Sequence, residues 1–156
     1  INVFLSKMFE KEFPQEFKAY RKAHKAARWC LHDPGPYIGK AIVWKLSSAA
    51  HLDEDDGCLT VTYPMGSFTG GNMDIYDLHA RLLYDAGYVI LGFTDFLFHR
   101  VSCWKIGSPD AKTLEFMKAT GVTPGRIRIV SFFSINTFNQ VRNKESNWGL
   151  NTLWGR

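Results

Sequence analysis

Apolar and polar positions along this chain follow a helical period first and a strand period afterwards. Over residues 14–28, PQEFKAYRKAHKAAR, apolar side chains recur three and four apart (Phe13, Phe17, Tyr20, Ala23, Ala27). That spacing predicts an amphipathic helix opening on Pro14. Lys18, Arg21, Lys22, Lys25 and Arg28 fall on its other face, as a solvated surface or as a basic strip for phosphates. The run HDPGP (32–36) ends the helix, because two prolines and a glycine cannot continue it.

Strand grammar follows. Segments 38–48, 58–68, 73–84, 88–104 and 126–133 are rich in β-branched and aromatic residues. Turn signals separate them at 55–57, 69–72, 85–87 and 123–125 (Thr-Pro-Gly). Such spacing predicts an all-β sandwich or barrel with helical cladding. One short helix interrupts it, with Asp110 as cap and Gly121 as stop. The polar tail, FNQVRNKESNWGLNTLWGR, is expected to fold back onto the barrel. A single domain over 1–156 results: helical support in 1–33, β core in 34–134 and tail in 135–156.

Composition narrows the class. With 156 residues, 46% hydrophobic and 15% aromatic, the chain can bury a core and is not a disordered or low-complexity protein. No apolar run is long enough for a membrane helix. Nineteen basic against fifteen acidic residues give +4, which permits a polyanionic partner without demanding one. Cys30, Cys58 and Cys103 form neither a disulfide framework nor a zinc pattern, so buried thiols in a reducing, intracellular setting are expected. The opening INVFLSKMFEKEF reads as a fragment or mature chain without a signal peptide.

Chemistry concentrates at His51-Leu-Asp53, at the end of a predicted strand. Residues i and i+2 of a strand share a face, so an imidazole and a carboxylate can converge there. They supply two sites of the two-histidine, one-carboxylate triad that holds non-haem Fe(II). His99, 99 − 51 = 48 residues on, lies in the apolar strand FLFHRV as a third ligand. Arg126 opens the final strand, and Arg128 shares its face; a guanidinium matches a carboxylate bidentately. His79, in the order Asp77-Leu-His79, is the alternative ligand and has the wrong order. Trp44, Tyr63, Phe93 and Trp104 are candidate stacking aromatics, for which a core role is the commoner use.

The run HLDEDDG … GSFTGGNMDIYDLHARLLYDAGYVILGFTDFLFHRVSCW … TPGRIRIVSFFS resembles the Fe(II)/2-oxoglutarate-dependent dioxygenase superfamily. More closely, it is similar to fungal proteins of the ten-eleven translocation and J-binding modified-base type. The resemblance covers about 34–134. It implies a double-stranded β-helix (jelly roll), mainly β, with an N-terminal helix and a short inserted helix. It also implies His51, Asp53 and His99 as iron ligands, and Arg126, favoured over Arg128, on the distal carboxylate of 2-oxoglutarate. Two departures stand out: the family's Pro-Gly-Asp turn reads Ala86-Gly87-Tyr88, and the helical insert lengthens the loop before Arg126.

The implied function is oxidation of a C–H bond with Fe(II), 2-oxoglutarate and O₂. Its substrate would be the methyl group of a modified pyrimidine in DNA or RNA, and the setting intracellular, the nucleus included. The alternatives are a hydroxylase of protein or small molecules, and a jelly-roll binding module that keeps the triad without turnover.

Overall fold

The computed structural model describes residues 1–57, 59–122 and 125–151. Two helices open the chain where one was expected: α1 (Asn2–Glu12) and α2 (Pro14–Ala27). The sequence marks α1 weakly because it buries only Leu5 and Phe9, one turn apart. α2 starts on Pro14, where a missing N–H breaks no helical bond, and it buries Phe17, Tyr20, Ala23, His24, Ala26 and Ala27.

Nine strands and three further helices follow among the described residues. In chain order they are β1 (Gly39–Trp44), β2 (Leu59–Gly66), β3 (Phe68–Gly70), β4 (Met73–Ile75), β5 (Ala80–Leu82), β6 (Ile90–Phe93), β7 (His99–Val101), β8 (Trp104–Ile106), α3 (Ala111–Thr120), β9 (Arg126–Phe132), α4 (Ile135–Val141) and α5 (Trp148–Asn151). The strands form a four-stranded sheet β1-β9-β2-β6, a three-stranded sheet β5-β4-β7 and the pair β3-β8. Each pairing is antiparallel, and the fold is mainly β.

Strand period explains what each face of the large sheet does. Leu59, Val61 and Tyr63 of β2 point into the aromatic core with Phe9, Phe17, Tyr20, Tyr37 and Phe133. Thr60 and Thr62 point the other way. Cross-strand partners share a face, so Thr62 opposite Val130, Pro64 opposite Arg128 and Gly66 opposite Arg126 put both arginines on the threonine side. The three-stranded sheet presents Met73, Ile75, His99 and Val101 on one face, with Ile75 opposite His99 and Met73 opposite Val101. On its other face Asp74 accepts from Arg81 at 2.6 Å and Arg100 at 2.9 Å, and these bonds hold its carboxyl at about 2.

Two long apolar runs are shorter strands than the sequence suggests. Segment 73–84 is the hairpin β4-β5, closed by His79 N–H donating to the Tyr76 carbonyl at 3.0 Å, with His79 in the left-handed region (φ 49°). Segment 88–104 breaks after β6, where Leu97 N–H donates to the Phe93 carbonyl. The turn that replaces Pro-Gly-Asp closes through Tyr88 N–H on the Asp85 carbonyl. Of the 123–125 turn, Thr123 and Pro124 lie outside the described residues.

The inserted helix is α3. Asp110 caps it by accepting from Thr113 N–H at 2.7 Å, and Gly121 ends it in the left-handed conformation. The described part of the tail, 135–151, carries α4 and α5 and docks on α2: Asn147 N–H donates to the Lys25 carbonyl at 2.7 Å, and Phe138 packs on Tyr20 and Phe133. The expectation of buried thiols fails for Cys30 and Cys103, both exposed in segments outside regular structure; Cys58 lies outside the described residues. Among the described residues no helix is long and apolar enough to cross a membrane.

Candidate metal centre

The residues after β1 run along the free edge of β7 and deliver His51 opposite His99. His51 N–H donates to the His99 carbonyl at 2.9 Å, and His99 N–H returns the bond at 3.0 Å. Residues paired this way share a face, and the two rings lie 4.5 Å apart by centroid. Two residues on, Asp53 N–H donates to the Thr94 carbonyl and keeps the chain extended, so Asp53 faces the same point. Its Oδ1 lies 3.4 Å from His51 Nε2 and its Oδ2 3.7 Å from His99 Nε2. One ligand atom from each of the three falls within 4.8 Å of the others.

Hydrogen bonds choose which ring nitrogens face inward. His51 Nδ1 lies 2.8 Å from the Ala49 carbonyl and His99 Nδ1 2.9 Å from the Leu97 carbonyl. A carbonyl only accepts, so each Nδ1 carries a proton and each Nε2, turned toward Asp53, is the nitrogen left to ligate a metal. Burial lowers the pKa of His99, which favours the neutral, ligating ring. Two imidazoles and one carboxylate on one side of a divalent cation leave coordination positions open, the donor set suited to non-haem iron.

The threonine face shares a cavity of about 240 Å³ with two members of the triad, Asp53 and His99; Asp56, Thr60, Thr62 and Arg128 also line it. Burial, then the charges of Asp53, Asp95 and Asp55, pushes the Asp56 carboxyl up to about 7. It is therefore a weaker metal ligand than Asp53 near neutral pH.

Arg128 thus joins Asp53 and His99 on one cavity wall, while Arg126 sits deeper on the same face, 1% exposed. The Arg126 guanidinium lies between the rings of Phe68 (5.2 Å) and Tyr84 (5.0 Å). Its Nε and Nη2 have no hydrogen-bond partner, and it forms no ion pair among the described residues. Burial lowers its pKa. A buried cation without a counter-charge costs several kcal/mol, so this guanidinium suits an anion that the chain itself does not supply.

Gly71 makes the space for it. At φ 73° an added Cβ would lie 3.1 Å from Arg126 Nε and 3.3 Å from Trp104 Cβ. Gly71→Ala is expected to cost about 1–2 kcal/mol from the left-handed backbone alone. It also crowds the Arg126 guanidinium, so the urea midpoint should fall.

His79 stays apart, exposed in the β4-β5 turn. His79→Ala is therefore expected to leave Fe(II) affinity unchanged, whereas His51→Ala loses it; anaerobic metal titration of the two variants separates them. None of Trp44, Tyr63, Phe93 and Trp104 lines the cavity with the triad. Tyr63 belongs to the aromatic core, Trp44 is 54% exposed, and Trp104 packs on Phe68. Phe93 instead lines an adjoining apolar cavity with Ile75, Leu82 and Ile90, which shares Met73, Thr94 and His99 with the first. Asp56, Thr60, Thr62 and Tyr84 were not picked out from sequence, although the alternation Leu-Thr-Val-Thr-Tyr over 59–63 signals that β2 has one polar, enclosed face.

No family model and no curated protein matches this sequence. Among solved structures, NgTET1 in complex with 5mC DNA matches with a TM-score of 0.60 at 14% identity. The match covers 94% of this chain and 53% of that one, so this chain spans about half the length of its structural neighbour. The likeness is one of fold.

Proposed function

We propose that the chain is an Fe(II)- and 2-oxoglutarate-dependent dioxygenase with a double-stranded β-helix core, acting on the methyl group of a modified pyrimidine in nucleic acid. The observation that carries this reading is the convergence of His51, Asp53 and His99, together with a buried guanidinium on the cavity-side face of the large sheet that lacks an anion. The fold shared with NgTET1, whose structure holds 5mC DNA, supports the substrate class. When bound, iron and 2-oxoglutarate supply the oxidising chemistry: O₂ and the keto acid convert C–H to C–OH, releasing succinate and CO₂.

The chain's own residues have defined parts. Ala49 and Leu97 carbonyls hold the two imidazoles by Nδ1, so that each Nε2 faces the metal position. Asp53 supplies the charge that offsets a divalent cation. Arg126, with Arg128 beside it on the strand, binds the distal carboxylate of the co-substrate. Phe68 and Tyr84 keep water from that guanidinium and strengthen its attraction for an anion. Thr62, bonded to the Tyr84 hydroxyl, ties this anion end to the cavity wall.

The test combines the purified chain with Fe(II), 2-oxoglutarate and 5-methylcytosine DNA, reading succinate and oxidised base by mass spectrometry. Both products are expected. Metal retention without succinate would assign a binding module instead. Succinate formed with a peptide or small molecule, and none with methylated DNA or RNA, would move the substrate elsewhere.

A further inference from the structure

The net charge of this chain is concentrated in one helix. Residues 14–28 hold five basic and one acidic side chain, so 5 − 1 = +4 there, and the remainder balances at 14 − 14 = 0. α2 packs its apolar side on the core that includes Leu59, Val61 and Tyr63. The metal cavity is lined by Thr60 and Thr62, on the opposite side of the same sheet. The cationic face therefore lies behind the sheet, away from the metal centre.

Its cations differ in how far they are already engaged. Arg21 donates to the Pro34 carbonyl, and Arg28 donates to Asn147 Oδ1 and the Leu31 carbonyl. Lys18, Lys22 and Lys25 are exposed at i, i+4 and i+7, and none forms an ion pair among the described residues. With Arg21 they line a shallow groove of about 310 Å³ against α1, in which Glu10 is the acidic member. Like charges four apart disfavour a helix, so this stripe costs folding stability and is relieved by an anionic partner. Residues three and four apart on a helix have Cβ atoms about 5–6 Å from each other, so the three lysines rise from one line and can reach successive phosphates.

We infer that the exposed face of α2 grips the phosphate backbone of nucleic acid at a second contact, behind the sheet that carries the metal centre. Trp29, 73% exposed just past the helix, offers a flat ring for stacking a base at the end of the stripe. A membrane surface fits less well: no large apolar side chain of α2 is exposed, and an interfacial helix needs an apolar face turned to lipid. The inference extends the nucleic-acid reading above, but it requires neither metal nor a modified base.

The experiment uses the whole chain, metal-free, with fluorescein-labelled unmethylated duplex and single-stranded DNA, read by anisotropy across salt concentrations. Three phosphate contacts predict that a fourfold rise in salt weakens binding about 40-fold through them. Lys18→Gln/Lys22→Gln/Lys25→Gln should make the log–log salt slope shallower by about 3, with the circular dichroism melt retained. Trp29→Ala should weaken the single strand more than the duplex. A His51→Ala/His99→Ala variant should keep this binding, so failure of the oxygenase reading leaves the test intact. An unchanged slope in the lysine variant overturns the inference. So does lysine-dependent binding to phosphatidylserine vesicles when DNA binding does not depend on the lysines.

Discussion

Asp53→Ala is expected to lower Fe(II) affinity by more than about 100-fold and to abolish succinate formation, while the protein stays folded. Loss of an outer-sphere partner alone costs about 10–100-fold in metal affinity, and Asp53 offers a direct ligand and the charge that offsets the cation. Both of its oxygens face an Nε2, at 3.4 Å and 3.7 Å, so its removal leaves two imidazoles and no anionic ligand. Folding should survive because the local backbone is held by Asp53 N–H on the Thr94 carbonyl, a bond independent of the side chain. Asp56→Asn is the matched control. Its carboxyl lines the same cavity but, at about 7, is half protonated near neutral pH, so metal affinity should change little. Anaerobic titration of Fe(II) into both variants checks the contrast; equal losses would make Asp56 the ligand.

Where local chemistry decides the structure, the sequence is readable. Pro14 and the three–four spacing give α2, and Asp110 with Gly121 gives α3. The order His51, Asp53, His99, Arg126 along alternating strands was visible as a pattern, because a period of two tells which side chains share a face. Harder to see was where long apolar runs bend. The turn Tyr76–His79 contains neither glycine nor proline, and His79 adopts a left-handed conformation that its type seldom signals. Harder still were relations set by pairing across distance. The Nδ1 bonds that orient both imidazoles come from neighbours, yet they matter only because β7 and residue 51 are in register. The space around Arg126 depends on Gly71, Phe68 and Tyr84, brought together by three different elements. The separate depths of Arg126 and Arg128, two residues apart on one strand, follow from what covers each, and no local pattern encodes that.

That difference in depth leads to the second large effect, which has opposite signs for stability and binding. Arg126→Met replaces a guanidinium, 1% exposed and lacking partners at Nε and Nη2, with a shorter, flexible apolar side chain. In the ligand-free protein this removes an uncompensated buried charge, so stability should rise by about 1–4 kcal/mol. For a chain of this size each kcal/mol corresponds to about 2–4 °C in Tm. The co-substrate loses its charge partner at the same time. Breaking a buried, hydrogen-bonded ion pair costs about 3–5 kcal/mol, which is roughly 150- to 5,000-fold in 2-oxoglutarate affinity. Fe(II) affinity should hold, because the triad belongs to β7 and the segment opposite it rather than to β9. Arg128→Met, half-buried and with Nε alone buried and unpartnered, should shift both quantities less. Thermal melts with calorimetric titration of 2-oxoglutarate on the two variants test the pairing of effects. A lower Tm for Arg126→Met with unchanged 2-oxoglutarate affinity would make Arg126 a packing residue and move the anion site to Arg128. A higher Tm with lost affinity is what a site built around a missing anion requires, because one guanidinium would then be a cost to the ligand-free fold and the charge partner of the ligand.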